Sequence, residues 1–434
     1  MHPVRTVGTP SMLRLAAASL VGTAIEFYDF FVYGTAAALV LGPLFFPTFS
    51  PLAGTLAAFG TFGAGFVARP LGSVLFGHLG DRRGRRPVLV LSLLLTGAST
   101  VAVGCVPSYG TIGVAAPVLL LALRFLQGLG LGGEWGGAVL LTAEHAPPGR
   151  RALWSSFPQM GPALGFVLAN GMVLALSATL SDAEFARWGW RVPFWAAGAL
   201  ALSGLWLRSS LAESPRFLEI DDHARVPFVE VVRHHRRLVL LTAGALAAGY
   251  AVFYAVTTWS LAYATERLGV SRTIMLTCVM AAVVVKASLT PFMAVLADRY
   301  GRRTMCLTGC TACGLWMLPM VALLGTGQPL LMFLGILGAL VSFITMFAVI
   351  AAYLPELYEA RVRCTGAAVG YNLGGVLGGA LTPIVATALA EHGGRVPWGV
   401  GVYLTGVALF SLVCFALLPE TRPVPVPVVE PATG

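Results

Sequence analysis

Apolar residues run along this chain in long stretches broken by short, arginine-rich turns, and twelve stretches approach the roughly 20 residues that cross a bilayer as a helix. They are Ala17 to Leu41, Leu52 to Phe76, Val88 to Val106, Val114 to Leu141, Leu153 to Leu176, Trp190 to Leu207, Leu238 to Ala264, Ile274 to Ala297, Met305 to Leu324, Leu330 to Tyr353, Thr365 to Leu389 and Trp398 to Leu418. Strict apolar/polar alternation is absent and the stretches are too long for tilted barrel strands, so helices are the way to satisfy the backbone in lipid. The pattern predicts an all-α membrane protein with twelve transmembrane helices.

Composition agrees, with 57% apolar and only 11% charged residues in 434. The charges that remain are sorted by side. Counting from the N-terminal side, twenty arginines fall in the loops of that face and five, Arg187, Arg191, Arg267, Arg272 and Arg395, on the other. Arginine collects in cytoplasmic loops, so both termini are expected in the cytoplasm. The net charge of +9 is then a topological signal with some affinity for anionic headgroups. With no soluble basic domain, a nucleic-acid partner is not expected. The short N-terminus lacks a small-residue cleavage site, so the first span is expected to stay.

An internal repeat organises the chain. GHLGDRRGRR (Gly77 to Arg86) follows the second span and AVLADRYGRR (Ala294 to Arg303) follows the eighth, with Asp81 and Asp298 lying 217 positions apart. Glu144 and Glu356 each precede an arginine, Arg151 and Arg363, by seven. The expected organisation is two pseudo-symmetric six-helix bundles at 1–210 and 238–420, a polar cytoplasmic linker at 211–237, and a Pro-rich disordered tail at 421–434. A tight Gly-containing turn presents Asp81 to a neighbouring helix N-terminus, where the dipole favours an anion, and Asp298 is its counterpart in the second copy. Arg82, Arg85 and Arg302 are placed to bind carboxylates or headgroups. Such a turn reads as a conformational latch between moving halves.

Membrane helices seldom keep ionised side chains, since one at mid-bilayer costs roughly 3 kcal/mol or more. GTAIEFYDFFVYG (Gly22 to Gly34) nevertheless holds Glu26 and Asp29, three apart on one helix face, with Tyr33 a turn beyond. Arg124 lies midway along the fourth span and Glu134 ten residues on, in a Gly-rich stretch suited to close helix packing. A carboxylate raised by burial and lowered by a neighbouring arginine can take and release a proton as a cavity changes sides; a permanent interhelical ion pair is the alternative. Gln159 in the fifth span suits a substrate or a neighbouring helix. Arg69 and Lys286, the one lysine of the chain, each stand twelve residues before the repeated Asp, at equivalent depths in the second and eighth spans. The expected division is proton handling by Asp29, Glu26 and Glu134, and substrate contacts from Arg124, Lys286, Arg69, Tyr33 and Gln159.

The double Asp-Arg-x-Gly-Arg-Arg match resembles the major facilitator superfamily, whose loop between second and third helices carries that signature. Within it the chain is similar to the metabolite:proton symporter family, which includes carriers of shikimate, oxoglutarate, citrate and proline or betaine. EFYDFFVYG, FFP (Phe45 to Pro47), ARPLGSVLFGHLGDRRGRR (Ala68 to Arg86), RFLQGLGLGGEWGGA (Arg124 to Ala138), WRVPF (Trp190 to Phe194) and ESPRF (Glu213 to Phe217) carry that resemblance. It implies a proton-coupled symporter of the bacterial inner membrane that imports a small organic acid or zwitterion by alternating access, as a monomer, with the proton as coupling ion and no other cofactor. MGPALG (Met160 to Gly165) partly matches the Gly-Pro motif of drug antiporters without its closing Gly-Gly, so drug or metabolite efflux by proton antiport is the competing reading. A transport-like sensor is the remote one.

Enzymatic chemistry is not expected, because the seven histidines all fall in loops or at span ends. Cys306, Cys310 and Cys313 share a helix face without a His or acid nearby, so neither a metal site nor a disulfide framework is expected.

Overall fold

The structure, a computed structural model, describes residues 12–83, 85–132, 146–147, 149–209, 231, 233–359, 362–391 and 394–421, with the side chains of 14, 15, 18, 77, 78, 80–89, 206–209 and 364 left outside the description. Glu134, Glu144, all but a few residues of the expected linker and all but Thr421 of the expected tail therefore lie outside the described residues, as do the side chains of Asp81, Arg82 and Arg85.

Twelve helices cross in succession: α1 (Met12–Ala36), α2 (Pro51–Arg83), α3 (Arg85–Cys105), α4 (Ala115–Leu131), α5 (Arg151–Thr179), α6 (Val192–Ser209), α7 (Arg236–Tyr254), α8 (Arg272–Tyr300), α9 (Arg302–Gly325), α10 (Pro329–Phe347), α11 (Arg363–Gly374) and α12 (Trp398–Leu417). Among the described residues there is no strand. Four of the helices are longer than those bounds. α1 continues through a π-helical turn at Ala37–Leu41, α7 through one at Ala255–Trp259 into Ser260–Glu266, and α11 through one at Gly375–Ala380 into Leu381–Glu391. α10 breaks at Ala348 and Val349 before Ile350–Glu356. The turns in α1 and α7 lie 218 positions apart, in step with the sequence repeat.

Packing repeats with the same symmetry. α1 packs on α5 and α6, α2 on α4, and α3 on α4 and α6; six helices later α7 packs on α11 and α12, α8 on α10, and α9 on α10 and α12. The two bundles meet along α2 against α11 and α5 against α8. α1 and α7, at the centre, are the most enclosed spans, each 89% buried over its most apolar window, so their polar residues face protein and not lipid.

The crossing of α2 and α4 depends on Gly128, because a Cβ there would lie 2.9 Å from the Ala68 side chain and closer still to the Gly65 carbonyl oxygen. Both helices would have to separate to admit it, and overpacking of that kind costs about 1–3 kcal/mol or more. Gly128→Val is expected to lose most monodisperse protein on size-exclusion chromatography, while Gly60→Ala, where nothing lies within 4 Å, keeps the parent profile.

Candidate functional site

Between the bundles lies a central cavity. α1 contributes Phe27, α5 Gln159 and Pro162, α7 Gly249, Tyr250, Phe253 and Tyr254, α8 Lys286, α10 Phe343 and Phe347, and α11 Tyr371. Among the described residues Lys286 is the only charged side chain on this wall. Its Nζ lies 5.3 Å from the Phe343 ring centre and 5.8 Å from that of Phe253, and no carboxylate pairs with it among the described residues. Aromatic faces attract a buried ammonium, but only partly replace lost hydration. Tyr250 Oη, also buried, interacts with the Tyr371 hydroxyl, the two ring centres being 5.3 Å apart. Gln159 Nε2 donates to the Phe347 carbonyl across the bundle boundary at 3.3 Å.

Behind Phe27 a second cluster forms within the N-terminal bundle. The guanidiniums of Arg69 (α2) and Arg124 (α4) both lie over the Phe30 ring, at 4.3 and 4.2 Å. Arg124 also faces Tyr33 at 4.4 Å and Phe62 at 5.1 Å. Its Nη1 donates to Gln127 Oε1, and Gln127 Nε2 in turn donates to Thr100 Oγ1 at 2.6 Å. Tyr33 hydroxyl donates to Thr61 Oγ1 at 2.7 Å. Tyr254 of the other bundle closes the cluster, 5.1 Å from Phe66 and 5.8 Å from Phe30 between ring centres.

Cation–ring contacts contribute about 2 kcal/mol each when desolvated, whereas removing a guanidinium from water costs several. Two like charges on one ring therefore require anions close by. Asp29 lies within electrostatic reach of Arg124, and Glu26 within reach of Tyr371; both acids are buried on α1.

The bundles are joined at both ends of the cavity. At the arginine-rich end the Asp298 carboxylate, on the last turn of α8, accepts the Ala152 and Leu153 backbone N–H groups, each at 3.1 Å. Those are free donors of the first turn of α5, where the helix dipole favours an anion. Asp298 also pairs with Arg302 at 2.9 Å, and Arg302 lies 3.5 Å from Glu356. Glu356 accepts the Thr421 hydroxyl, and Glu420 accepts the Arg302 and Arg303 N–H groups at 2.9 and 3.1 Å. Midway, Asn372 of α11 donates to Ser73 of α2 at 2.7 Å. At the opposite end Thr55 donates to Glu266 at 3.2 Å, and Arg272 pairs with Asp182 while lying over Phe185 at 4.2 Å. Ser181 and Glu184 form a capping box that fixes the short helix carrying Asp182, and the two Ser181 donors hold the Glu184 carboxyl below its ordinary range.

Of the residues singled out in the sequence, Lys286 and Gln159 reach the cavity wall, while Arg69, Arg124 and Tyr33 gather behind it with Asp29 close to Arg124. Asp298 and Arg302 sit at the bundle junction. Tyr250 and Tyr371 were not singled out, yet the repeat points to both. Tyr250 is 217 positions beyond Tyr33, the spacing of the two aspartates, and Tyr371 is 212 beyond Gln159, the spacing of Glu144 and Glu356.

Twelve spans in two bundles of repeated packing around a central cavity, with contacts joining the bundles on either side of it, define a carrier architecture. The chain belongs to the major facilitator superfamily, whose family model matches residues 19–368 and 263–433. It is 43% identical to "Inner membrane metabolite transport protein YhjE" of Escherichia coli (strain K12), with 94% of each chain covered. It is 37% identical to the shikimate transporter of the same organism, covering 94% of this chain and 95% of that one. Identity to the Escherichia coli proline/betaine transporter is 34%, over 100% of this chain and 89% of the relative. The fold matches a partially occluded, inward-open xylose transporter from E. coli with a TM-score of 0.75 at 17% identity, covering 96% of this chain and 99% of that one. The protein is thus a multi-pass membrane transporter and not an enzyme.

Proposed function

We propose that the protein is a proton-coupled symporter of the bacterial inner membrane that imports a small carboxylate-bearing metabolite by alternating access. One observation carries this reading: Lys286 stands on the wall of the central cavity with no carboxylate partner among the described residues. A substrate carboxylate supplies the missing charge. Relatives named for shikimate and for proline or betaine, all carboxylate-bearing compounds, support the same class. Asp29, with Glu26, takes the proton, and its interaction with Arg124 sets when the proton is released. Expression in a strain deprived of its own carriers, with uptake of labelled organic acids followed at outside pH 5.5 and 7.5, tests the reading. Accumulation that rises with the inward proton gradient and collapses with an uncoupler supports symport; efflux under the same gradient would establish the antiporter.

In this reading Asp298 and Arg302 form the inner gate, with Asp81, Arg82 and Arg85 as its repeat mates, and Asp182 with Arg272 part of the outer one. Asp298→Ala removes two charge-assisted bonds to the α5 N-terminus, each worth about 1.5–3 kcal/mol, and favours opening at that end. A cysteine placed at buried Ser156 in a Cys105→Ser background is expected to react with maleimide about tenfold faster when Asp298→Ala is added. Equal rates would remove Asp298 from gating.

Both termini are cytoplasmic in this reading. Reporters fused after Pro87, Arg151 and Pro423 should all give a cytoplasmic signal; a periplasmic one from any of the three breaks the assignment.

A further inference from the structure

Glu26 is buried on α1, yet the groups around it come from both bundles. Within its own bundle, Asp29 stands one turn along α1, and Arg69 of α2 lies 5.9 Å from the ring centre of Phe27, the residue next to Glu26. From the other bundle comes Tyr371 of α11, which lies within electrostatic reach of both Glu26 and Arg69 and interacts with the Tyr250 hydroxyl of α7. Tyr254 of α7 lies within reach of Arg69 and Arg124, and Lys286 of α8 lines the same cavity as Tyr371.

These neighbours differ in what they do when the bundles move. Arg69 belongs to the same bundle as α1 and is held against three rings, Phe27, Phe30 and Phe66, at 5.9, 4.3 and 5.0 Å. Its distance from Glu26 therefore changes little as one bundle rocks against the other. Tyr371 belongs to the C-terminal bundle, and the residue beside it, Asn372, donates to Ser73 of α2 across the boundary at 2.7 Å. That bond seats α11 against the N-terminal bundle at the level of Tyr371. The repeat gives Tyr371 a mate in Gln159, 212 positions earlier, and Gln159 too crosses the boundary, to the Phe347 carbonyl. A phenol hydroxyl can accept one hydrogen bond while donating another, so Tyr371 can meet Tyr250 on one side and direct its own O–H at a carboxylate on the other.

Resting on the reading that Glu26 shares the coupling proton with Asp29, we propose that Tyr371 is a positioning residue for that proton: its hydroxyl donates from the C-terminal bundle to the Glu26 carboxylate of the N-terminal bundle. The bond favours the ionised acid. Separation of α11 from α2 withdraws the donor and leaves a buried carboxylate that gains by taking a proton. Bundle movement and proton uptake are thereby linked through one neutral side chain.

Infrared difference spectra of the purified full chain, recorded without substrate from about pH 4 to about pH 10, read the acids directly. The protonated-carboxyl band that disappears in Glu26→Gln belongs to Glu26, and the one that disappears in Asp29→Asn belongs to Asp29. Tyr371→Phe keeps the ring and removes the hydroxyl. It should move the Glu26 midpoint up by about one pH unit, a tenfold gain in proton affinity and the size of one lost charge-assisted bond, and move the Asp29 midpoint by less than half as much. General loosening of the bundle interface would move both acids alike. Tyr250→Phe leaves the Tyr371 donor in place without its neighbour and should move the Glu26 midpoint in the same direction by about half as far; it decides the matter if Tyr371→Phe yields no monodisperse protein. A Glu26 midpoint unmoved or lowered in these variants overturns the inference while leaving Glu26 as a proton carrier. If no band is lost in Glu26→Gln, the inference falls together with the part of the coupling reading that gives Glu26 a proton.

Discussion

Asp29→Asn is expected to abolish accumulation driven by an inward proton gradient while leaving exchange of substrate across the membrane. Asp29 is buried in the most enclosed part of the protein, within electrostatic reach of Arg124. An ionised carboxylate there costs roughly 3 kcal/mol or more in the absence of a partner, so it remains charged only while the arginine stays near. Movement of α1 relative to α4 weakens that attraction and lets a proton in. Asparagine keeps the size of the side chain but holds it neutral, so the loaded carrier still reorients and the link to the proton is lost. If Asp29 instead serves only as a fixed counter-charge, the substitution leaves Arg124 buried and unbalanced, at a cost of about 3–5 kcal/mol. That outcome shows as lost folded protein. Proteoliposomes holding equal amounts of monodisperse protein separate the two through pH-jump uptake and counterflow, and undiminished pH-driven accumulation removes Asp29 from the coupling step.

Lys286→Gln is expected to raise the dissociation constant for the substrate anion by about tenfold or more, the loss of one charge-assisted bond worth 1.5–3 kcal/mol. Folding should survive, because the substitution removes a buried charge that the described residues do not pair and so relieves a desolvation cost. Lys286→Arg keeps the charge but brings a planar, longer head into a cavity shaped around an ammonium, and should give an intermediate defect. Arg69→Gln is the control with the opposite signature. Its depth matches that of Lys286 in the repeat, but its guanidinium lies over Phe30 and Phe66 behind the wall, so yield should fall while affinity in the surviving protein stays close to the parent. A normal constant in well-folded Lys286→Gln would rule out direct recognition by that lysine.

These two residues also show where the sequence was informative. Lipid allows no unpaired backbone and few charges, so the spans could be read from hydropathy and the buried ionisable groups stood out against an apolar background. The 217-residue spacing placed Lys286 opposite Arg69, but symmetry of depth is not symmetry of direction: Lys286 lines the cavity, whereas Arg69 lies over Phe30 and Phe66, within electrostatic reach of the wall tyrosines. The aromatic wall was illegible for a different reason. With 24 Phe and 11 Tyr in the chain, a ring at the cavity has the same local sequence context as a ring in the core. The identity of the helix start that Asp298 caps was also hidden, because Ala152 and Leu153 belong to the other bundle. Breaks in regular winding, at Ala37–Leu41 and Ala255–Trp259, carry no periodic signal because each lies inside an uninterrupted apolar run.

Those two irregular turns set the phase of the outer helix ends. A π turn accommodates one residue more than an α turn, so side chains beyond it are rotated by about 100° from where a regular helix would carry them. The stripe of α1 that holds Glu26 and Asp29 is consequently not the stripe that continues past Leu41, and the equivalent offset occurs in α7. Removing one residue between 37 and 41 would therefore shorten α1 very little. It would instead turn the end of the helix about its own axis and swing Phe45 away from Trp190, whose ring it now meets edge-on at 5.9 Å.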